Sequence, residues 1–177
     1  MNQFQANMAT SFAVLLCLAG CGAMQTLKDG TVNLSNAVFF SSVKKLKLDL
    51  VARHALNQHD RAQPLSVVVR VYQLKDAKNF QAASYPQLLS DDKATLGADL
   101  LAVKEVVVLP GATVSLDENM NENATQIGVM ALFRPLNRDT VWRTQLAKDN
   151  LDNDEAAKLE LIDHKIHWSF IPHPGKE

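Results

Sequence analysis

The 177-residue chain is 47% apolar and 21% charged, with 18 Lys and Arg against 19 Asp and Glu. It is too apolar and too evenly charged for a disordered chain, and a formal net charge of -1 provides no general grip on nucleic-acid phosphates. The length suits one domain, while 7 Gly and 6 Pro exclude a collagen-like or low-complexity chain.

Residues 1–20 contain no Asp, Glu, Lys or Arg. Within them Phe12-Ala13-Val14-Leu15-Leu16-Cys17-Leu18 is an apolar run too short to span a membrane, which takes about twenty residues. It fits the core of a secretory signal peptide, although the usual basic residues before the core are missing. Leu18-Ala19-Gly20-Cys21 then reads as a lipobox, the cleavage and acylation signal of bacterial lipoproteins. Small residues let the extended backbone enter the peptidase, and the Cys21 thiol accepts the lipid. Cleavage between Gly20 and Cys21 removes 20 of the 177 residues, leaving 157, and discards Cys17. An acylated Cys21 has no free thiol, so no disulfide is expected and stability must come from the core. Gly22 stands where Asp is the common inner-membrane retention signal, so the expected address is the outer membrane, facing the periplasm.

The expected organisation is a signal peptide over 1–20, a lipidated tether over 21–45, a β-sandwich over 46–171 and a tail over 172–177. Leu46, Leu48, Leu50 and Ala52 alternate with Lys45, Lys47, Asp49 and Arg53, predicting a half-buried strand. Asn57-Gln58-His59-Asp60-Arg61-Ala62-Gln63-Pro64 is a polar connection. Leu65 to Leu74 is a β-branched core strand. From Asp76 to Leu89 the pattern turns helical through Phe80, Ala83 and Leu88, with Ser84-Tyr85-Pro86 placed to start a short helix. Val103 to Leu109 is a strand stopped by Pro110-Gly111, and Thr113 to Leu116 follows. Ile127 to Phe133 is apolar on both faces and therefore central. Thr140 to Leu146 precedes a long strand from Leu159 to Phe170, whose change of parity predicts a bulge near Leu161. Seven or eight strands with one helical insertion indicate an all-β sandwich.

Catalytic and metal-binding patterns fail. There is no Gly-x-Ser-x-Gly elbow, phosphate-cradling glycine loop or His-Glu-x-x-His. His164 and His167, an odd number of residues apart on one strand, point to opposite faces. The acidic run Asp149 to Glu155 misses the calcium-loop frame, with Glu155 where Gly is required and Leu161 where the bidentate Glu belongs. No catalytic residue, metal ligand, cofactor or small-molecule substrate is expected.

Pro64-Leu65-Ser66-Val67-Val68-Val69-Arg70-Val71-Tyr72-Gln73-Leu74, Phe80, Leu96-Gly97-Ala98-Asp99-Leu100-Leu101, Pro110-Gly111, Ile127-Gly128-Val129-Met130-Ala131-Leu132-Phe133-Arg134 and Trp142-Arg143 occur in that order. Together with the lipobox they resemble the type VI secretion lipoproteins of the TssJ/SciN family. The resemblance covers roughly residues 45–145 and implies a transthyretin-like sandwich tethered to the outer membrane through Cys21. It further implies that the domain binds the periplasmic domain of TssM through the loop between the first two strands, which falls on Asn57 to Pro64. This chain has Asp60-Arg61-Ala62-Gln63-Pro64 where the family frequently has Gly-Arg-Pro. Composition alone makes the segment a solvated loop; His59, Asp60 and Arg61 are its candidates for charge-assisted contacts. A different reading, a periplasmic lipoprotein that binds a ligand, needs a pocket lined by Tyr72, Trp142 and Trp168, residues that core packing explains equally well.

Overall fold

A computed structural model describes residues 43–58, 63–134 and 136–172. The signal peptide with Gly20 and Cys21, nearly all of the expected tether and most of the tail lie outside the described residues, as do His59, Asp60, Arg61 and Ala62. Val43, the first described residue, is buried in the core. The elements in chain order are β1 (Lys45–Leu56), β2 (Val67–Leu74), α1 (Lys78–Ala82), α2 (Tyr85–Ser90), α3 (Asp92–Leu96), β3 (Leu100–Val108), β4 (Thr113–Asn119), β5 (Gln126–Ala131), β6 (Arg143–Ala147), β7 (Ala157–Asp163) and β8 (Lys165–Phe170).

These eight strands make two four-stranded sheets, one ordered β4-β1-β7-β8 and the other β3-β2-β5-β6. The all-β sandwich implied by the sequence is the observed architecture. All pairings are antiparallel except β1 with β7, which are parallel. Period-two burial sets the faces. Leu46, Leu48, Leu50 and Ala52 of β1 join Leu159 and Leu161 of β7 on one inner face, against Val67, Val69 and Val71 of β2 and Ile127, Val129 and Ala131 of β5. This cluster is the main core.

A second cluster explains why β5 is apolar on both faces. Tyr72, Leu74 and Met130, on the outer face of the second sheet, pack against Phe80, Ala83, Leu88 and Leu96 from the helical insertion. The insertion begins its second helix at Ser84, whose N–H and hydroxyl both donate to Gln87 Oε1 at 2.8 Å, with Pro86 in the first turn. It runs further than the sequence pattern indicates, through α3 to a 3-10 turn at Gly97–Asp99. Leu96 is the fully buried residue of that segment, and Leu100 is only partly buried against the cluster.

One expectation is corrected. Leu159 to Phe170 does not form a single strand bulged at Leu161: β7 and β8 are a tight hairpin turning at Asp163 and His164, with Asp163 at φ 49. Antiparallel partners share a face, and the register pairs Leu161 with Ile166 and Leu159 with Trp168. The change from odd to even inward positions therefore comes from reversing the chain. The register does slip, between Lys158 and Leu159, leaving Ser169 as the extra residue. That slip turns Phe170 outward, where it pairs with Lys158 and has the Lys158 Nζ 5.8 Å from its ring centre.

Strand directions give the sandwich two ends. At one end lie Val43, the 120–125 and 148–156 connections and the last residue of β8. At the other lie the β1–β2, β3–β4 and β5–β6 connections and the β7–β8 turn. β1 runs from the first end to the second in 12 residues, roughly 40 Å at about 3.3 Å per residue.

Candidate partner-binding end

The expected partner loop leaves β1 at Asn57. This residue is buried and has φ 47, a left-handed conformation that Asn tolerates better than most. Its N–H donates to the Asp163 carbonyl at 2.8 Å, and its Oδ1 accepts the Arg134 N–H at 2.8 Å. Asn57 is thus committed inside the protein, and among the predicted loop residues it acts as a positioning group. Gln58 is half-buried, whereas Gln63 and Pro64 are exposed. The loop is closed at its base by the Leu65 N–H donating to the Leu56 carbonyl at 3.0 Å.

The β5–β6 connection and the β7–β8 turn meet at the same place. The His164 ring is buried, with Nε2 3.4 Å from the Arg134 carbonyl oxygen and Nδ1 2.7 Å from Asp163 Oδ1. The Phe133 ring packs against it at 5.9 Å between centres. Val141 donates its N–H to the His164 carbonyl at 3.0 Å, and the Tyr85 hydroxyl donates to the Phe133 carbonyl at 3.2 Å. Main-chain groups of three connections therefore hold one another. His167 sits elsewhere, on β8, beside the carboxylate of Glu160 at 3.2 Å. Since His164 is in the turn and not on a strand, the expected opposition of two strand faces does not describe this pair.

Two arginines fasten the helical insertion to the second sheet. Arg70 Nε donates to Glu105 at 2.8 Å and its Nη1 to the Leu88 carbonyl at 3.0 Å. Arg143 Nη1 donates to the Phe80 and Ala83 carbonyls at 2.8 and 2.5 Å, with its guanidinium 4.7 Å from the centre of the Trp142 ring. Burial lowers the Arg143 pKa from its ordinary value. The Tyr72 hydroxyl donates to Asp92 Oδ2 at 3.2 Å, and burial followed by the Asp92 charge drives the phenol pKa upward.

The aromatic trio considered for a ligand pocket is dispersed. Tyr72 is fully buried. Trp142 is held edge-on to Tyr85 at 5.2 Å, and Trp168 Nε1 donates to the Gln145 carbonyl at 3.1 Å, bridging the two sheets. A concavity of about 300 Å³ lined by Phe80, Gln81, Arg143, Thr144 and Gln145 contains none of the three. In the acidic run, Asp152 Oδ1 accepts the Asp154 and Glu155 N–H groups at 2.6 and 3.2 Å, making a self-capped turn. Among the described residues no group of three His, Cys, Asp or Glu side chains is placed to hold a metal ion.

The fold and its loop end define a small β-sandwich in which Asn57, Arg70 and Arg143 join loops and insertion to the sheets. A family model described as type VI secretion lipoprotein, VasD, EvfM, TssJ matches residues 44–164, and the chain belongs to that family. A comparison with curated sequences returned no match. Among solved structures, the chain is 37% identical to a chain titled "Type VI membrane complex", covering 71% of this chain and 98% of that one at a TM-score of 0.67. It is 35% identical to a chain in "T6SS protein TssM C-terminal domain (869-1107) from EAEC", with 71% and 98% covered and a TM-score of 0.62. It is 27% identical to the T6SS lipoprotein TssJ1 from Pseudomonas aeruginosa, with 74% and 98% covered and a TM-score of 0.64.

Proposed function

We propose that this lipoprotein is anchored in the outer membrane by acyl chains on Cys21, after cleavage between Gly20 and Cys21, and that its opposite end binds the periplasmic domain of TssM. In this role it is a structural component of the type VI membrane complex and performs no reaction. The observation that carries the reading is the polarity of the sandwich: Val43 and the Asn57–Pro64 loop lie at opposite ends, joined by the single strand β1. The chain that follows Cys21 joins the sandwich at Val43, at the end opposite the loop, which suits a loop end that meets a partner away from the membrane. Each buried methylene contributes about 0.8 kcal/mol, and more than one acyl chain is needed for stable anchorage.

The TssM partner is supported by the second of those structural relatives. Coverage of 71% of this chain and 98% of that one makes the matched chain about as long as the sandwich, much shorter than the segment 869–1107 that its title gives for TssM. A chain of that length suits a lipoprotein solved together with TssM, which supports the TssM partner.

Membrane fractionation of a Cys21→Ser variant tests the anchor. The variant is expected to leave the outer-membrane fraction while keeping its fold, and retention there would sink the lipid assignment. Titrating the wild-type lipoprotein and a deletion of Gln58 to Gln63 with the TssM periplasmic domain tests the loop. Weaker binding with little change in melting temperature is expected; unchanged affinity would remove the loop from the interface.

A further inference from the structure

We infer that the β5–β6 connection, with Leu136, Arg138 and Val141 at its surface, is a second docking segment for the same partner, at the end of the sandwich where the β1–β2 connection begins and ends. This rests on the binding role proposed above and extends it to a part of the chain that neither the sequence pattern nor the loop assignment singles out.

Three observations converge. The first is where apolar surface is left exposed. Among the described residues the exposed large apolar side chains are Leu65, Val103, Val107, Leu109, Leu136, Val141 and Phe170. Five of these seven, all but Val103 and Phe170, lie at the loop end. Leu65 is on the β1–β2 connection, Val107 and Leu109 lie where β3 passes into the β3–β4 turn, and Leu136 and Val141 are on the β5–β6 connection. Scattered exposed apolar residues are ordinary; their concentration at one end of a small sandwich marks a contact surface.

The second observation is charge without a partner among the described residues. Arg134 and Arg138 are exposed, and neither side chain makes an ion pair or hydrogen bond within the described protein. By contrast Arg53, Arg70 and Arg143 are all engaged by carboxylates or carbonyls. Arginines left unpaired among the described residues, beside exposed leucine and valine, match a protein surface that presents apolar side chains bordered by carboxylates, since Arg is a frequent anchor at such interfaces.

The third is mechanical continuity. Arg134 is held by Asn57 through its N–H and lies against His164 at its carbonyl, and Val141 is tied to the β7–β8 turn on both sides, accepting from the Ile166 N–H at 3.0 Å. The two connections are joined at their bases, Asn57 to Arg134, before any partner arrives. Ordering costs on binding are correspondingly smaller.

The test uses the acylated lipoprotein in detergent, titrated with the TssM periplasmic domain, comparing wild type with Leu136→Asp, Arg138→Glu and Phe170→Asp. Leu136 and Arg138 are exposed, so all variants should melt within about a degree or two of wild type, as surface changes usually do. Leu136→Asp and Arg138→Glu are each expected to weaken binding about tenfold or more. The Arg138→Glu variant should also lose part of the salt dependence of the wild-type affinity. Phe170→Asp, at the far end, should bind as wild type does. Wild-type affinity in both loop-end variants would overturn the second segment while leaving the loop reading intact. An equal loss in Phe170→Asp would overturn it as well, because the effect would then not belong to this end. Failure of the wild-type protein to bind would instead reject the TssM role itself.

Discussion

Gly128 lies beneath Phe80 so closely that a Cβ on it would stand 3.1 Å from Cε1 and Cζ of the ring and 3.1 Å from Leu74 Cδ1. Both neighbours are fully buried in the cluster under the helical insertion, so making room means shifting side chains packed there. Gly128→Ala should therefore destabilise the domain by about 1–3 kcal/mol, the usual cost of overpacking. Thermal melting would show it as a drop of several degrees. A variant as stable as wild type would mean that the insertion is looser on the sheet than its packing indicates.

Arg143 serves two carbonyls at the end of α1, those of Phe80 and of Ala83, the residue that follows the helix. Lysine carries the charge without the planar fork or the stacking on Trp142. Arg143→Lys is expected to lose about 1.5–3 kcal/mol, the range for hydrogen bonds to charged groups. Amide exchange should accelerate first in residues 78–90, before the sheets respond. Uniform acceleration across both sheets would contradict a local clamp.

At Asn57 two terms can be separated. Asn57→Ala orphans the Arg134 N–H, at about 1–3 kcal/mol, and places a less tolerant residue at φ 47. Asn57→Gly also loses the acceptor but accepts the backbone angle. The expected order of melting temperatures is wild type, then Gly, then Ala. A glycine variant as stable as wild type would show that the Arg134 bond contributes nothing.

Both tyrosines have phenol pKa values above the ordinary 10.0, Tyr72 through burial and then the Asp92 charge, Tyr85 through burial. They are the only two tyrosines of the chain, so phenolate absorbance reports both. Because the folded values are raised, the unfolded chain releases protons first as pH rises. The stabilisation is complete below about pH 10 and declines above it. An absorbance titration should show little phenolate at pH 10 while the protein is folded and a rise that coincides with unfolding. Half-ionisation at pH 10 in a folded sample would contradict the buried environment.

Much of the fold was legible because one-sided burial imprints a period of two. Leu46, Leu48, Leu50 and Ala52 declare both a strand and its inward face, and Pro110-Gly111 declares its turn. The doubly apolar run of β5 correctly announces cover on two sides, though not that the second cover is the helical insertion. The β7–β8 hairpin was misread because a change of parity looks the same whether one residue is inserted or the chain reverses. Only the pairing of Leu161 with Ile166 distinguishes them.

The candidate site divides along the same line. The apolar run and the order of small residues before Cys21 are local chemistry, written in consecutive residues, so the sequence by itself determined the expected lipid attachment. It also determined which residues form the β1–β2 loop. Only the tertiary structure decided that this loop shares an end of the sandwich with Leu136 and Arg138, because that neighbourhood depends on strand directions and on a bond from Asn57 to Arg134 across 77 residues. A side chain carries no local mark of a partner that far along the chain. Strand directions in the two packed sheets bring the two together.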